Sequence, residues 1–587
     1  MTDGRKTFRL RVLCLGILGV VCVSLYLNTL AVPFYLDDFD SISNNLTVSG
    51  GSLQDVLKAQ PMRAVTYASF WADVQLQGVS PRGFHLTNMA IHTVNCWLVF
   101  TLAWLLLEPA ARTRRTHSTK SKPRTKTLLY VLPALASALL FASHPLHTQA
   151  VTYVVQRAAS LASLFYLATL ILFLFFRGCE SAPKRRLYGG FCALSFFAAL
   201  LSKQSAFSLP LALLLTEGVI VRTDMPRLSR RQFLMLAGGG LLVVLLGWMA
   251  ASGMSTELAE SLDGLTRDAR SISRWDYFQA QQAVLLIYLG KFLLPLQLRL
   301  EYDLSPGSFS TITILMASAI HLALLGLGVA LLNKHRVIAY GIFLYYTGHI
   351  IESSVIPIKD LAVEHRSYLP DIGLVLVAGA IVQHLLRQEG RRKAVFAGLT
   401  VVLLSLSTLT VQRNLQWRDP IGFYEREYRL SPQHNRVVAN LASRQFRAGN
   451  KPRALEVLQK RYDELAGKVP AQLSSGFLML AMETAPERVY PAGNSMLRQL
   501  RAPRERLPLL VNLGYYAMRE EDYARAEQYL SQAIEIPGCP TNARWSLAIA
   551  LQRQQRMAEA RFQAQQILAK EPGHSGALLV LKETGAR

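Results

Sequence analysis

Acidic residues, cysteines and charged side chains in general are scarce in this sequence, and each scarcity excludes a class of protein. Only 17% of the 587 residues are charged and 51% are hydrophobic, which excludes an ordinary soluble protein of this length. The six cysteines show no C-x-x-C spacing, so they indicate neither a metal site nor a disulfide framework. Several apolar runs reach the roughly 20 residues that a helix needs to cross a bilayer. The sequence therefore predicts an all-α, polytopic membrane protein.

The shortage of acids leaves a net charge of +24, with 63 basic residues against 39 acidic ones. Lys and Arg fall mainly in short loops between apolar runs and in a soluble tail. In the loops they indicate topology and contact with anionic lipid head groups rather than with nucleic acid. The most basic of these loops covers residues 112–126. We therefore place this loop and the N-terminus in the cytoplasm and the first polar loop outside. No small-x-small site follows the first apolar run, so we expect it to remain as an uncleaved span.

Eleven apolar segments are predicted to cross the membrane. A shorter segment, 283–296, is assigned as interfacial or re-entrant, because a crossing there would place the later basic loops outside. Residues 55–74 are amphipathic and are predicted to form a helix on the outer membrane face. The predicted crossings are residues 12–32, 84–107, 127–143, 157–176, 187–201, 206–221, 232–251, 308–332, 337–351, 367–387 and 394–412.

The composition changes after the membrane domain, which we assign to residues 1–412. Small apolar residues then alternate with Arg, Gln and Glu at helical spacing, and one register repeats after 34 residues: Leu513-Gly514 recurs as Leu547-Ala548, and Ala526 as Ala560. This is the tetratricopeptide (TPR) period, in which small residues let paired helices pack closely. Residues 441–458 fit a degenerate repeat, while 465–505 are too irregular to assign. The sequence predicts an extracytoplasmic TPR-like domain over residues 413–587.

Unusual polar residues of the membrane domain gather on one face under this topology. Scattered polar residues should fall on both faces, so a one-sided accumulation indicates a water-filled cavity open to the outside. The candidate site residues are Asp37, Asp38, Asp40, Asn45, His85, Asn88, His92, His147, Gln156, Arg157, Lys203, Glu364, His365 and Arg366.

Carboxylates beside cations at the outer leaflet suit group transfer from a lipid-linked phosphate. Asp37 or Asp38 would be the general base that takes the proton of an acceptor hydroxyl. Arg157, Lys203 and Arg366 would hold the leaving phosphate. The alternatives are a divalent ion, Mg²⁺ or Mn²⁺, on the two aspartates and simple interfacial snorkelling for Arg157 and Lys203.

The histidines have a metal interpretation as well. His85 and His92 lie seven residues apart on one helical face and could share a metal ion with His144 or His147. The alternative is that each histidine only hydrogen-bonds to its neighbours, which is the more common role near membrane ends.

Six short motifs follow one another along nearly the whole chain. They are 34–38 (FYLDD), 83–88 (GFHLTN) with His92, 145–151 (PLHTQAV) with 156–158 (QRA), 201–203 (LSK) with Leu209-Pro210, 363–366 (VEHR) with 368–370 (YLP), and Arg413-Asn414 with Trp417. In kind and order they resemble those of the GT-C-fold transmembrane-and-tetratricopeptide O-mannosyltransferases and their bacterial relatives. The resemblance implies transfer of a sugar from a polyprenyl phosphate to a hydroxyl of an exported protein, with Asp37 or its neighbour Asp38 as the base. His365 and Gln149 depart from the family pattern, so mannose does not follow from it.

Two other functions compete with the glycosyltransferase interpretation. A transporter or flippase of a lipid-linked precursor would use similar cations, but it should show internal repeat symmetry and polar span centres. A non-catalytic TPR scaffold of the cell envelope would need no acids beside a basic pocket. We expect a bacterial inner-membrane protein with a cytoplasmic N-terminus, a periplasmic TPR domain that recruits the acceptor protein, and no nucleic-acid partner.

Overall fold

The computed structural model describes an all-α chain, which confirms the predicted fold class. It covers residues 2–108, 123–221, 272–354, 357–358, 360–466, 468–500, 502–569 and 571–585, and no strand occurs among them. The predicted crossing at 232–251 and the basic loop at 112–122 lie outside the described residues.

The chain separates into two compact units, Met1–Phe423 and Tyr424–Arg587. The functional domain bounds assigned from the sequence, 1–412 and 413–587, stay a prediction. The helices of the first unit are α1 (Thr2–Tyr26), α2 (Leu46–Gly50), α3 (Leu53–Ala59), α4 (Ala64–Gln77), α5 (Pro81–Leu107), α6 (Pro123–Ser143), α7 (Thr148–Thr152), α8 (Arg157–Gly178), α9 (Ala182–Leu200), α10 (Leu209–Leu215), α11 (Arg274–Leu293), α12 (Thr311–Leu331), α13 (Arg336–His349), α14 (Asp371–Leu386) and α15 (Arg392–Gln416). Helix α16 (Pro420–Leu430) lies where one unit passes into the other.

Six helical segments in the described residues are long and apolar enough to cross a membrane, so the chain is an integral membrane protein. Two shorter apolar helices, Tyr130–Ser143 and Asp371–Leu386, coincide with further predicted crossings. The count of eleven crossings stays a prediction, because α9 and α13 do not reach the length or apolarity of a span. The six segments are Phe8–Ala31, Pro81–Leu107, Val154–Gly178, Gln204–Val221, Thr311–Leu331 and Glu389–Gln416.

Local sequence signals set the helix boundaries next to the polar loops. Ser52 and Asp55 form a reciprocal capping box at the start of α3, and Ser310 caps α12. The predicted single helix over residues 55–74 is wrong, because Pro61 separates α3 from α4. A proline lacks the N–H that a continuous helix would need there, and its ring clashes with the preceding turn. The resulting break places Arg63 just before α4.

The second unit is a series of antiparallel helix pairs, as the 34-residue period predicts. The repeat with the best register forms α21/α22 and α23/α24, and the degenerate one forms α17/α18. Residues 465–505, which the sequence left unassigned, form one more pair, α19/α20. The helices are α17 (Asn435–Arg447), α18 (Lys451–Glu464), α19 (Ala471–Thr484), α20 (Val489–Gln499), α21 (Pro503–Arg519), α22 (Tyr523–Ile534), α23 (Thr541–Arg553), α24 (Met557–Leu568) and α25 (Ser575–Glu583).

The small residues at the repeated positions allow the paired helices to pack closely. A Cβ atom built on Gly514 would lie 2.6 Å from the Leu530 side chain, so the glycine allows α21 and α22 to approach closely. Ala526 and Ala560, one period apart, are both fully buried. This packing explains why the repeat is visible in the sequence.

Candidate active site

Three loops of the first unit meet at the candidate site. We call them the acid loop (residues 33–45), the middle loop (144–156) and the cation loop (361–370). The Tyr153 hydroxyl accepts the Asp37 N–H at 3.0 Å, so the middle loop contacts the acid loop. At its other end, Gln149 Oε1 accepts the His365 N–H at 2.8 Å, so the same loop also contacts the cation loop. Two sequence segments separated by more than 300 residues thereby contact the same loop.

The acid loop is held firmly on both sides of Asp37. The Tyr35 hydroxyl donates to the Trp417 carbonyl oxygen at 2.6 Å. Leu36 has a φ of 38°, in the left-handed region that a branched residue occupies only at a cost of about 1–3 kcal/mol. Such strained positions cluster at functional sites. Asp37 itself is half-buried.

Asp38 has a different environment, although it is the next residue. Its side chain is buried, and its two oxygens accept the backbone N–H groups of Tyr35 at 2.9 Å and of Val155 at 2.7 Å. Burial raises the pKa of Asp38 to about 8, although these N–H groups favour the charged form. Asp38 is thus placed to hold the acid loop against the middle loop, and Asp37 is the more accessible of the two acids.

The raised pKa of Asp38 predicts a pH dependence of stability. The folded protein keeps the Asp38 proton up to a pH of about 8, whereas the unfolded chain loses it near its ordinary value, so this group lowers stability as pH rises between those values. Asp38→Asn cannot ionise. We therefore expect the unfolding temperature of the variant, relative to wild type, to increase from pH 5 to pH 8 in detergent. A difference that does not change with pH would contradict the assignment, and Asp40→Asn, at an exposed position, is the control.

Arg157 is buried and fully engaged in hydrogen bonds. Its Nε donates to Asn88 Oδ1 at 2.6 Å, and its Nη2 donates to Asp73 Oδ2 at 2.5 Å and to the Phe84 carbonyl oxygen at 3.1 Å. Its Nη1 donates to the backbone oxygen and the hydroxyl of Ser69, both at 3.2 Å. All five N–H donors of the guanidinium are thereby satisfied. Arg157 joins α4, α5 and the start of α8, and its predicted contact with a donor phosphate stays a prediction.

Asp73, the ion-pair partner of Arg157, is not among the site residues predicted from the sequence. A signal was present: Thr66, Phe70, Asp73 and Val74 share the buried face of α4 at helical spacing. An acid on the apolar face of an amphipathic helix needs a buried partner. The identity of that partner depends on the tertiary structure.

A second charged group surrounds Glu352. Lys203 Nζ lies 2.9 Å from Glu352 Oε1, and both side chains are buried. Arg366 and Arg63 also act electrostatically on Glu352, so its pKa is lowered despite a burial that alone would raise it. We call Arg63, Lys203 and Arg366 the cation cluster. Asp360 also acts electrostatically on Arg366. Within the described part of the chain, three cations of the cluster thus interact with two carboxylates, and this positive excess suits an anion.

Arg63 is a member of this cluster that the sequence analysis also missed. Its Nε and Nη2 donate to Gln204 Oε1 at 3.3 and 3.2 Å. Its position follows from the Pro61 break, which ends α3 and lets the chain turn into α4 just after Arg63. Arg63 is only half-buried, so it can reach a ligand at lower cost than Lys203 or Arg366.

The first turn of α4 brings the acid loop and the cation cluster close together. The Thr66 hydroxyl donates to the Ser202 carbonyl oxygen at 2.9 Å, next to Lys203. The Tyr67 hydroxyl donates to Ser41 Oγ at 3.4 Å, three residues beyond Asp38. Consecutive residues of one helix therefore contact both parts of the site. Helix α4 thus links the acid loop to the segment that holds Lys203, and a single site formed by the predicted acids and cations stays a prediction.

The candidate histidines are held by protein groups. His85 Nε2 lies 3.0 Å from the Val32 carbonyl oxygen, and His92 Nδ1 lies 2.7 Å from the Tyr368 hydroxyl. His147 Nε2 lies 3.1 Å from Asp371 Oδ2. Among the described residues, the one group of three or more potential metal ligands is Cys22, His92 and Cys96, which does not include His85, His144 or His147.

The remaining predicted residues divide into anchors and exposed groups. Asn88 donates to the Val151 and Val154 carbonyl oxygens at 3.0 and 3.3 Å, and Asn45 Oδ1 caps α2. Glu364 Oε1 accepts the Arg299 N–H and the Tyr302 hydroxyl. Gln156 is half-buried and Asp40 is exposed. Their roles toward a substrate stay predictions.

Comparison with curated proteins gives several relatives that are named protein O-mannosyl-transferases. A protein O-mannosyl-transferase of Caenorhabditis elegans is 23% identical over 436 residues, which are 71% of this chain and 57% of the relative. The chain resembles protein O-mannosyl-transferases. Tmtc2 of Drosophila melanogaster is 33% identical over 201 residues, 31% of this chain and 19% of the relative. TMTC2 of Mus musculus is 31% identical over 159 residues, 26% and 17% respectively.

The matches cover only part of each relative. The chain spans little more than half the length of the worm O-mannosyl-transferase and less than a quarter of the length of the fly and mouse relatives. No protein-family model and no solved structure matches the chain. The relatives support the resemblance seen in the short motifs. Evidence for the activity of this chain comes from its own residues.

Proposed function

We propose that this chain transfers a sugar from a polyprenyl-phosphate donor to a hydroxyl group of a protein acceptor. The reaction takes place at the acid loop, on the extracytoplasmic side of the membrane. Mannose is the first sugar to test, because the relatives are named O-mannosyl-transferases. The second unit, as a TPR-like solenoid, recruits the acceptor protein.

Asp37 is the general base of this reaction. The acceptor oxygen attacks the anomeric carbon of the sugar while Asp37 takes the hydroxyl proton. The bond between the anomeric carbon and the phosphate oxygen breaks, and its electron pair leaves with the polyprenyl phosphate. The cation cluster stabilises the negative charge that develops on this phosphate. The donor itself stays in the bilayer by its polyprenyl chain.

One observation supports this proposal above all: the half-buried Asp37 stands on a strained, anchored loop, which α4 connects to a cluster of cations with positive excess. Precise placement of a base can supply much of a transferase's rate, because effective catalysis needs the reacting atoms about 3 Å apart. Asp38 and the Tyr35 anchor provide that placement. Burial raises the pKa of Asp38 to about 8, so it keeps its proton at neutral pH, and a carboxyl group must lose its proton to bind a metal ion. We therefore propose a reaction that needs no metal at this pair.

An assay with purified full-length protein tests the proposal. Polyprenyl-phosphate mannose, and then other polyprenyl-phosphate sugars, are supplied with an extracytoplasmic protein acceptor, with and without EDTA. Transfer of sugar to protein that is not reduced by EDTA is the expected result. If the donor crosses a vesicle membrane without transfer, the flippase alternative gains. If the chain neither transfers nor moves any donor and only retains acceptor proteins, the scaffold alternative gains.

The cation cluster gives a separate prediction for the donor. Arg63→Gln removes a half-buried cation and leaves the Lys203 to Glu352 ion pair intact. A charge-assisted hydrogen bond to phosphate contributes about 1.5–3 kcal/mol, so we expect the donor KM to rise at least about tenfold with little change in stability. Steady-state kinetics with a fixed acceptor concentration measures this.

Arg82→Gln is the matched control, because Arg82 is an exposed arginine at the start of α5. Its donor KM should stay near the wild-type value. Equal effects of the two variants would indicate a general influence of surface charge rather than phosphate binding at the cation cluster.

A further inference from the structure

We infer that Cys22, His92 and Cys96 bind a zinc ion inside the membrane domain. Their potential ligand atoms all lie within 4.8 Å of one another, and Cys96 Sγ is 3.8 Å from His92 Nε2. Bonds of about 2.3 Å to sulfur and about 2.0 Å to nitrogen in a tetrahedron give ligand separations of roughly 3.5–3.8 Å. The cluster is therefore near the geometry of a zinc site before any adjustment.

The cluster could not be found from cysteine spacing. Cys22 lies on α1, and His92 and Cys96 lie one turn apart on α5, so the site exists only where the two helices pack. Side chains four residues apart on a helix share one face. The absence of C-x-x-C spacing predicted no metal site on the cysteines, but the packing of α1 against α5 brings Cys22 to His92 and Cys96.

The charge of the complex suits a buried position. All three side chains are buried, with exposures of 0% for each. Two thiolates and a neutral imidazole cancel the charge of Zn²⁺, and a neutral complex avoids the large cost of burying a net charge. One Zn²⁺ ion displaces the two thiol protons on binding, and these protons pass to solvent. Sulfur and imidazole ligands also select zinc over Mg²⁺ or Mn²⁺.

Two tyrosines complete the surroundings of the cluster. The Tyr368 hydroxyl lies 2.7 Å from His92 Nδ1, an outer contact of the kind that orients a metal-binding imidazole and leaves Nε2 for the metal. The Tyr26 side chain is fully buried, its ring centre is 4.9 Å from that of His92, and its hydroxyl has no hydrogen-bond partner among the described residues. A buried hydroxyl without a partner needs explanation, and the fourth zinc position supplies one.

The zinc ion would fasten the end of α1 to α5. Beyond Tyr26 the chain continues through one short 3₁₀ helix, Leu27–Ala31, and Val32 into the acid loop. The metal thus has a structural role, which does not depend on the reaction proposed for Asp37.

Metal analysis of the full-length protein tests this inference. The protein is purified in detergent under reducing conditions, without added metal, and analysed by mass spectrometry for bound elements. We expect about one zinc ion per chain, lost in Cys22→Ser and in Cys96→Ser. Cys14→Ser is the matched control: Cys14 is also buried on α1, but it lies two turns away from Cys22, about 12 Å along the helix, and its replacement should leave the zinc content unchanged.

A second measurement covers variants that fail to fold. Wild-type protein stripped by a chelator and reloaded with Co²⁺ should gain the visible absorption of a tetrahedral ion and the near-ultraviolet band of a thiolate ligand. Its unfolding temperature should fall on stripping and recover with Zn²⁺. Wild-type protein that contains no zinc and gives no cobalt spectrum would overturn the inference, as would zinc that persists in both cysteine variants. Copper in place of zinc would overturn the choice of metal.

Discussion

Asp37→Asn should lower the rate of sugar transfer by about 10²- to 10⁴-fold, the usual contribution of a general base. The amide cannot accept the hydroxyl proton, but it has nearly the same shape as the carboxylate. Because Asp37 is half-buried and Asp38 provides the buried anchor, the unfolding temperature should change little. Single-turnover transfer from a polyprenyl-phosphate sugar, at saturating donor, measures the loss in the chemical step.

Glu180→Gln is the control for this loss, since Glu180 is an exposed acid outside the three loops of the site, and its rate should remain within about twofold of wild type. The same measurements distinguish Asp37 from Asp38 as the base. If Asp38 were the base, its pKa of about 8 would make the wild-type rate rise with pH up to that value, and Asp37→Asn would stay active. That pair of results would assign the base to Asp38 and contradict the role of Asp37.

Arg157→Met should destabilise the membrane domain by about 3–5 kcal/mol, the range for removing one partner of a buried ion pair. The change leaves Asp73 buried without its cation and deprives Asn88 and Ser69 of a donor. Unfolding in detergent, followed by heat or by denaturant, measures the effect. Since Arg157 joins α4 to α5, the loss should appear as a lower stability of the whole unit.

The double variant Arg157→Met with Asp73→Asn should recover much of this stability. It leaves no unpaired charge, and the amide oxygen introduced by Asp73→Asn can still accept the Thr87 hydroxyl, as the carboxylate does in the wild type. Arg392→Met is the control for a pair that is largely exposed on its acidic side, with Glu389 81% exposed, and it should cost no more than about 1 kcal/mol. An Arg157→Met protein with wild-type stability and a much higher donor KM would instead identify Arg157 as a phosphate ligand.

The sequence predicted the helices of this protein better than their contacts. Long apolar runs and a 34-residue period depend on local spacing, so the helices of the first unit and the paired helices around Gly514 could be recognised directly. Pro61 was visible too, and its power to divide the segment at 55–74 was underestimated. Two ion pairs join distant segments: Arg157 with Asp73, and Lys203 with Glu352. The local sequence around each of these residues does not identify its partner. The same holds for Cys22 beside Cys96.

The middle loop contacts both the acid loop and the cation loop. Val155 holds Asp38 at one end, and six residues earlier Gln149 holds His365, next to Arg366 of the cation cluster. A displacement of the cation loop on phosphate binding would therefore also displace the middle loop, which positions the acid loop and Asp37. In a transferase built this way, occupation of the donor site would itself adjust the alignment of Asp37, so that the base is correctly placed only when there is a sugar to transfer.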